Sequence, residues 1–125
     1  MSNSFDKYFP YEEQREQQTY AIKKAIDAFM DEDKRFVILE AGTGVGKSAI
    51  GLTVARYLNR NLITNPDSGI GGGSYFLTTQ KILQAQYEKD FGGKNGEMRS
   101  LYSASNYKCG YHKKNDCKTS QQLLR

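Results

Sequence analysis

Residues 41 to 48 read Ala41-Gly42-Thr43-Gly44-Val45-Gly46-Lys47-Ser48, and their types and spacing suit the binding of a phosphate chain. Glycine at 42, 44 and 46 lets the backbone curl so that successive N–H groups face a common centre. Lys47 adds a fixed positive charge that reaches β and γ phosphates. Ser48 offers a hydroxyl to the Mg²⁺ that accompanies a triphosphate. The strict pattern asks for glycine at its first position, and here Ala41 stands there. Alanine is small enough to keep the backbone compact. The expected ligand is a nucleoside triphosphate, ATP, held by Gly42, Thr43, Gly44, Val45, Gly46, Lys47 and Ser48.

Such a loop works only between a strand and a helix, because the helix N-terminus lends its positive end to the anion. Phe36-Val37-Ile38-Leu39 is a short apolar run that predicts a buried strand before the loop. Lys47 to Asn59 predicts the helix after it, with Ile50, Val54, Ala55 and Leu58 inward. Upstream, Gln17 to Asp31 predicts an amphipathic helix with Ile22, Ala25, Ile26 and Phe29 on one face and Lys23, Lys24 and Asp27 on the other. Asn65 to Ser74 is a glycine-rich loop. Tyr75 to Thr78 predicts a second strand, Gln80 to Phe91 a third helix with Ile82, Leu83 and Tyr87 on one face, and Arg99 to Ser103 a third strand. Glycines between 92 and 96 break that third helix, and 104–119 is polar, basic and irregular. The closing Gln121-Gln122-Leu123-Leu124-Arg125 looks like an interrupted helix. This order predicts an α/β fold, a parallel sheet with helical crossovers.

The chain has 125 residues and a net charge of +4, unevenly placed. Residues 1–91 carry 11 Lys/Arg against 12 Asp/Glu, whereas 92–125 carry 7 against 2. That basic segment suits a polyanion such as nucleic acid, or is a solvated lysine-rich surface. Its tyrosines Tyr102, Tyr107 and Tyr111 could stack on bases. No apolar stretch approaches the ~20 residues of a membrane span. The first residues lack a secretory pattern, so the cytoplasm is the expected compartment. Cys109 and Cys117 lie in the basic segment, where a cytosolic pair is read as metal ligands or as two free thiols.

Glu40-Ala41 followed by Gly42-Thr43-Gly44-Val45-Gly46-Lys47-Ser48 resembles motif I of superfamily 2 helicases, in the XPD/DinG branch that carries an iron–sulfur cluster. Alanine is an expected residue at 41 in that branch. Phe9-Pro10-Tyr11 with Arg15 and Gln18 resembles the aromatic-and-glutamine segment upstream. The resemblance implies that Gln18, or its neighbour Gln17, hydrogen-bonds the adenine edge; both are otherwise solvent-facing helix residues. Thr78-Thr79-Gln80 with Ile82, Leu83, Gln84 and Gln86 resembles motif Ia, which implies that Thr79 and Gln80 touch the backbone of single-stranded DNA. Thr79 is also a natural helix N-cap, and both roles can hold. Leu101 to Cys109, ending Asn106-Tyr107-Lys108-Cys109, resembles the entry to the iron–sulfur domain.

That likeness implies a RecA-like P-loop NTPase fold, with 1–103 as part of the first motor domain and 104–125 as the start of a cysteine-containing insertion. It also implies ATP, Mg²⁺ and single-stranded DNA as ligands, a monomer, and a cytoplasmic location, or the nucleus in a eukaryote. Cys109 matches the first cluster ligand, and Cys117 is a candidate second. Four thiolates are the usual requirement for a [4Fe–4S] cluster, so these two alone cannot close one. His112 between them raises zinc, or is a surface residue. No apolar run ends in Asp-Glu; Asp31-Glu32-Asp33 precedes the loop and sits in a turn. Binding without efficient turnover is therefore expected of these residues alone. Two other readings stay open: a different P-loop enzyme such as a small-molecule kinase, and a non-enzymatic nucleic-acid-binding module.

Overall fold

The computed structural model describes residues 2–62, 73–93, 97–110 and 116–123. Among the described residues four α-helices follow in order: α1 Glu16–Met30, α2 Lys47–Asn61, α3 Lys81–Phe91 and α4 Cys117–Leu123. Short 3-10 turns precede α1, at Asp6–Tyr8, and α4, at Ala104–Asn106. The residues fall into two units, Met1–Leu77 and Thr78–Arg125.

The first unit is built on α1 against α2. Ala21, Ile22, Ala25 and Ile26 recur at helical spacing on α1 and are buried, while Phe29 is half-buried. Lys23 and Lys24 are exposed on the other face, and Lys23 pairs with Asp27 at 2.8 Å. α2 buries Ala49, Ile50, Leu52 and Thr53. The expected inward set of Ile50, Val54, Ala55 and Leu58 holds fully only at Ile50; the other three are half-buried. The face is rotated because Thr53 can be buried at no polar cost: its hydroxyl donates to Ala49 O at 2.7 Å. Phe5 closes the core cluster of Ala21, Ile22, Ile26 and Ile50, with Tyr8, Phe9 and Val45 packed against it. Arg56 Nη1 donates to Tyr8 O at 2.9 Å, and Tyr8 meets Tyr57 edge-on, which ties the N-terminal segment to α2.

The expected strands are absent among the described residues. Neither 36–39, 75–78 nor 99–103 forms a ladder, and the β-pairing seen there is one isolated bridge, Lys108 to Asp116. The period of two nevertheless survives in exposure. Phe36 and Ile38 are 83% and 96% exposed around a half-buried Val37. Tyr75 and Leu77 are 93% and 92% exposed around a half-buried Phe76, whose ring lies 3.4 Å from where a Cβ on Gly51 would stand. A strand has no internal hydrogen bonds, so without a paired neighbour it keeps its side-chain alternation and gains no ladder.

In the second unit, α3 starts at Lys81 rather than Gln80, and Ile82 is 79% exposed instead of inward. Leu83 and Tyr87 are half-buried as expected, and Phe91 is buried and stacked with Tyr87. Lys81 Nζ donates to Asn106 Oδ1 at 2.6 Å, and Gln84 Nε2 donates to Leu101 O at 3.2 Å. These bonds fasten the segment 101–106 to α3. The closing helix is real but begins earlier than its Gln121 start, at Cys117. Asp116 Oδ1 accepts the Thr119 N–H at 2.7 Å in the manner of a cap. The glycine-rich loop expected at 65–74 lies mostly outside the described residues, as do Tyr111 and His112.

Candidate nucleotide site

The loop runs from residue 41 to the start of α2. It turns at Thr43 and Gly44, and Gly44 and Gly46 both take left-handed backbone, with φ of +81° and +83°. A side chain at either position would be strained, which is why the spacing of glycines matters here. Gly46 is the N-cap of α2, and no side chain caps that helix start. Lys47 is exposed in the first turn and Ser48 is half-buried beside it. Ile50 N–H donates to Gly46 O at 3.3 Å, the first bond of the helix. The N–H groups ahead of it have no carbonyl within the helix to meet. An uncapped helix start beside a lysine and a serine hydroxyl fits an anion and its metal. Val45 is half-buried and packs on the core cluster, so the loop is anchored from below.

The segment before α1 reaches the loop directly. Arg15 Nη1 donates to Gly44 O at 2.5 Å. Gln18 is buried, its Nε2 lying 3.4 Å from Gly46 O and its Oε1 accepting the Arg15 backbone N–H at 3.0 Å. A Cβ on Gly46 would stand 2.4 Å from Gln18 Nε2, so the glutamine amide is packed onto the loop. Gln17, the other candidate, is exposed and lines a cleft of about 460 Å³ with Tyr20, Leu39 and two loop residues, Ala41 and Val45. The contact of Arg15 with the loop had no counterpart in the sequence reading. Arginine three residues before a glutamine was its one available signal.

The remaining candidates lie elsewhere. Thr79 and Gln80 are exposed in the second unit, ahead of α3. The N-cap is Gln80, not Thr79, and it has no side-chain cap; Thr78 Oγ1 instead accepts the Gln80 N–H at 3.4 Å. The capping role expected of Thr79 is therefore not met. Cys109 is half-buried, and Cys117 opens α4. The described residues hold no group of three or more His, Cys, Asp or Glu able to bind a metal. Asp31, Glu32 and Asp33 are exposed in the turn that ends α1, with Asp33 at φ +51°.

Comparison with known proteins decides the family. Residues 12–123 match the family described as the type III restriction enzyme res subunit. The chain belongs to that family. It is a helicase-superfamily P-loop family of RecA-like type, related to ATP-dependent helicases. No curated protein and no solved structure matches the chain. No helix among the described residues is long and apolar enough to cross a membrane.

Proposed function

We propose that the chain is the ATP-binding N-terminal portion of a DNA helicase of the XPD/DinG type, acting on single-stranded and duplex DNA. The observation that carries this reading is the loop: two left-handed glycines, Gly44 and Gly46, lead into an uncapped helix start that bears Lys47 and Ser48. Amides from Gly42 through Ser48 surround the phosphates, Lys47 neutralises the β and γ charge, and the Ser48 hydroxyl would hold Mg²⁺. Bound Mg²⁺ supplies charge neutralisation to the triphosphate. Gln18 reads the adenine edge with the N–H and the oxygen lone pair that its contacts to Arg15 and Gly46 leave over. No acidic pair placed to organise the attacking water stands among the described residues, so nucleotide binding is the role proposed for them.

Thr79 and Gln80, exposed ahead of α3, contact the sugar–phosphate backbone of single-stranded DNA. Residues 1–103 are part of the first motor domain, and 104–125 open a cysteine-containing insertion. The XPD/DinG assignment rests on the order of four segments along the chain. In it, Cys109 and Cys117 are two of four thiolates for a [4Fe–4S] cluster in the full-length protein. The protein acts as a monomer in the cytoplasm, or in the nucleus of a eukaryote.

Two binding assays test this. Calorimetry with Mg·ATP and anisotropy with a labelled oligothymidine should both report binding. Lys47→Ala should weaken the first at least about tenfold and spare the second. A kinase would ignore the DNA; a nucleic-acid module without a nucleotide site would show no ATP binding for Lys47→Ala to remove.

A further inference from the structure

We infer that Arg15 and Gln18 are positioning residues that preset the anion cradle by holding two of its carbonyls turned outward. The inference rests on the nucleotide reading above and deepens it. In a trans peptide the C=O of one residue and the N–H of the next point in opposite directions. Arg15 Nη1 donates to Gly44 O, so the Val45 N–H faces away from Arg15. Gln18 Nε2 lies against Gly46 O, which also accepts the first helix bond from Ile50 N–H, so the Lys47 N–H faces away from Gln18. Each of these two alternate amides is thereby turned away from the start of α1 before any ligand arrives. Preset donors need no reorganisation on binding, which is where such contacts strengthen affinity.

The two side chains are also coupled to each other. Gln18 Oε1 accepts the Arg15 backbone N–H at 3.0 Å, and the Thr19 N–H donates to Arg15 O at 3.0 Å. The first turn of α1 thus fixes both anchors as one unit. Gln18 is 5% exposed, and the gap between its amide and Gly46 admits no Cβ. Arg15 is exposed, so its alteration removes the carbonyl contact without opening the core. A glutamine that served the base alone would leave affinity for a bare triphosphate untouched. A glutamine that also holds the loop affects every triphosphate.

The test compares Mg complexes of ATP, GTP and inorganic triphosphate by calorimetry on the wild type, Arg15→Ala, Arg15→Lys and Gln18→Glu. Gln18→Glu keeps the acceptor for Arg15 and puts a carboxylate oxygen against Gly46 O. Arg15→Ala should weaken all three ligands about tenfold, the worth of one charge-assisted hydrogen bond, and Gln18→Glu, which replaces a neutral bond with repulsion between oxygens, should weaken all three by a similar factor. Arg15→Lys, which keeps a donor of similar reach, should recover most of the loss. In the ligand-free protein, Arg15→Ala should shift the amide resonances of Val45 and Lys47 while the melting temperature stays within a few degrees. Failure of the wild type to bind any triphosphate would contradict the nucleotide reading itself. Wild-type binding with no loss in Arg15→Ala, or a loss in Gln18→Glu confined to ATP, would overturn the positioning role alone.

Discussion

Lys47 is exposed at the first turn of α2 and forms no salt bridge among the described residues, so its charge is open to a ligand. Replacing it with alanine removes a charge-assisted contact of about 1.5–3 kcal/mol, a loss of at least tenfold in Mg·ATP affinity by calorimetry. Gly46→Ala faces a left-handed φ and a Cβ 2.4 Å from Gln18 Nε2. It should cost about 1–3 kcal/mol of stability in chemical denaturation and weaken the same ligand. Asp116 is governed by pH. The Thr119 backbone N–H donates to its carboxylate and holds its pKa below the usual range. A depressed carboxyl pKa stabilises the folded form above the unfolded value and loses that contribution as pH falls through the folded one. The Thr119 amide resonance should therefore move only below the ordinary aspartate range, and Asp116→Ala should fray α4 at neutral pH. The residues at the loop were legible because glycine, lysine and serine at fixed spacing have few other uses. Arg15 was not, because its partner is a backbone carbonyl, which leaves no mark in the side-chain pattern.

At the scale of elements, helices were read well and strands poorly, for one physical reason. A helix closes its own hydrogen bonds, so the apolar period in 17–31 is enough to place α1 within a residue of Glu16–Met30. A strand depends on a neighbour that its own residues do not encode, and 36–39 and 75–78 have no ladder here. The rotation of the buried face of α2 escaped the reading because it turns on Thr53, a polar residue hidden by its bond to Ala49 O. Two substitutions separate the two kinds of element. Ile22→Ala, at a fully buried position, should cost about 2–5 kcal/mol. Ile38→Ser, at 96% exposure, should change stability by less than about 0.5 kcal/mol in the same urea titration. A large cost at Ile38 would mean that the segment is buried in solution by a sheet.

Over the whole molecule, the nucleotide loop and its supports lie in the first unit and the basic excess lies in the second. Phosphate contacts made by lysine and arginine release counterions, so affinity for single-stranded DNA should fall steeply between 50 and 200 mM salt. Binding of Mg·ATP at the loop should follow salt more weakly. Family membership across residues 12–123 agrees with a P-loop motor, while the DNA and cluster assignments depend on local segments such as Asn106 to Cys109. The central claim concerns the amides of residues 42–48, and amide-resolved NMR during titration with Mg·ATP reads them one by one. The largest shifts should fall on Gly44 through Ser48 and shrink sharply in Lys47→Ala at the same ligand concentration. Shifts centred elsewhere, or unchanged in that variant, would contradict the phosphate-cradle account.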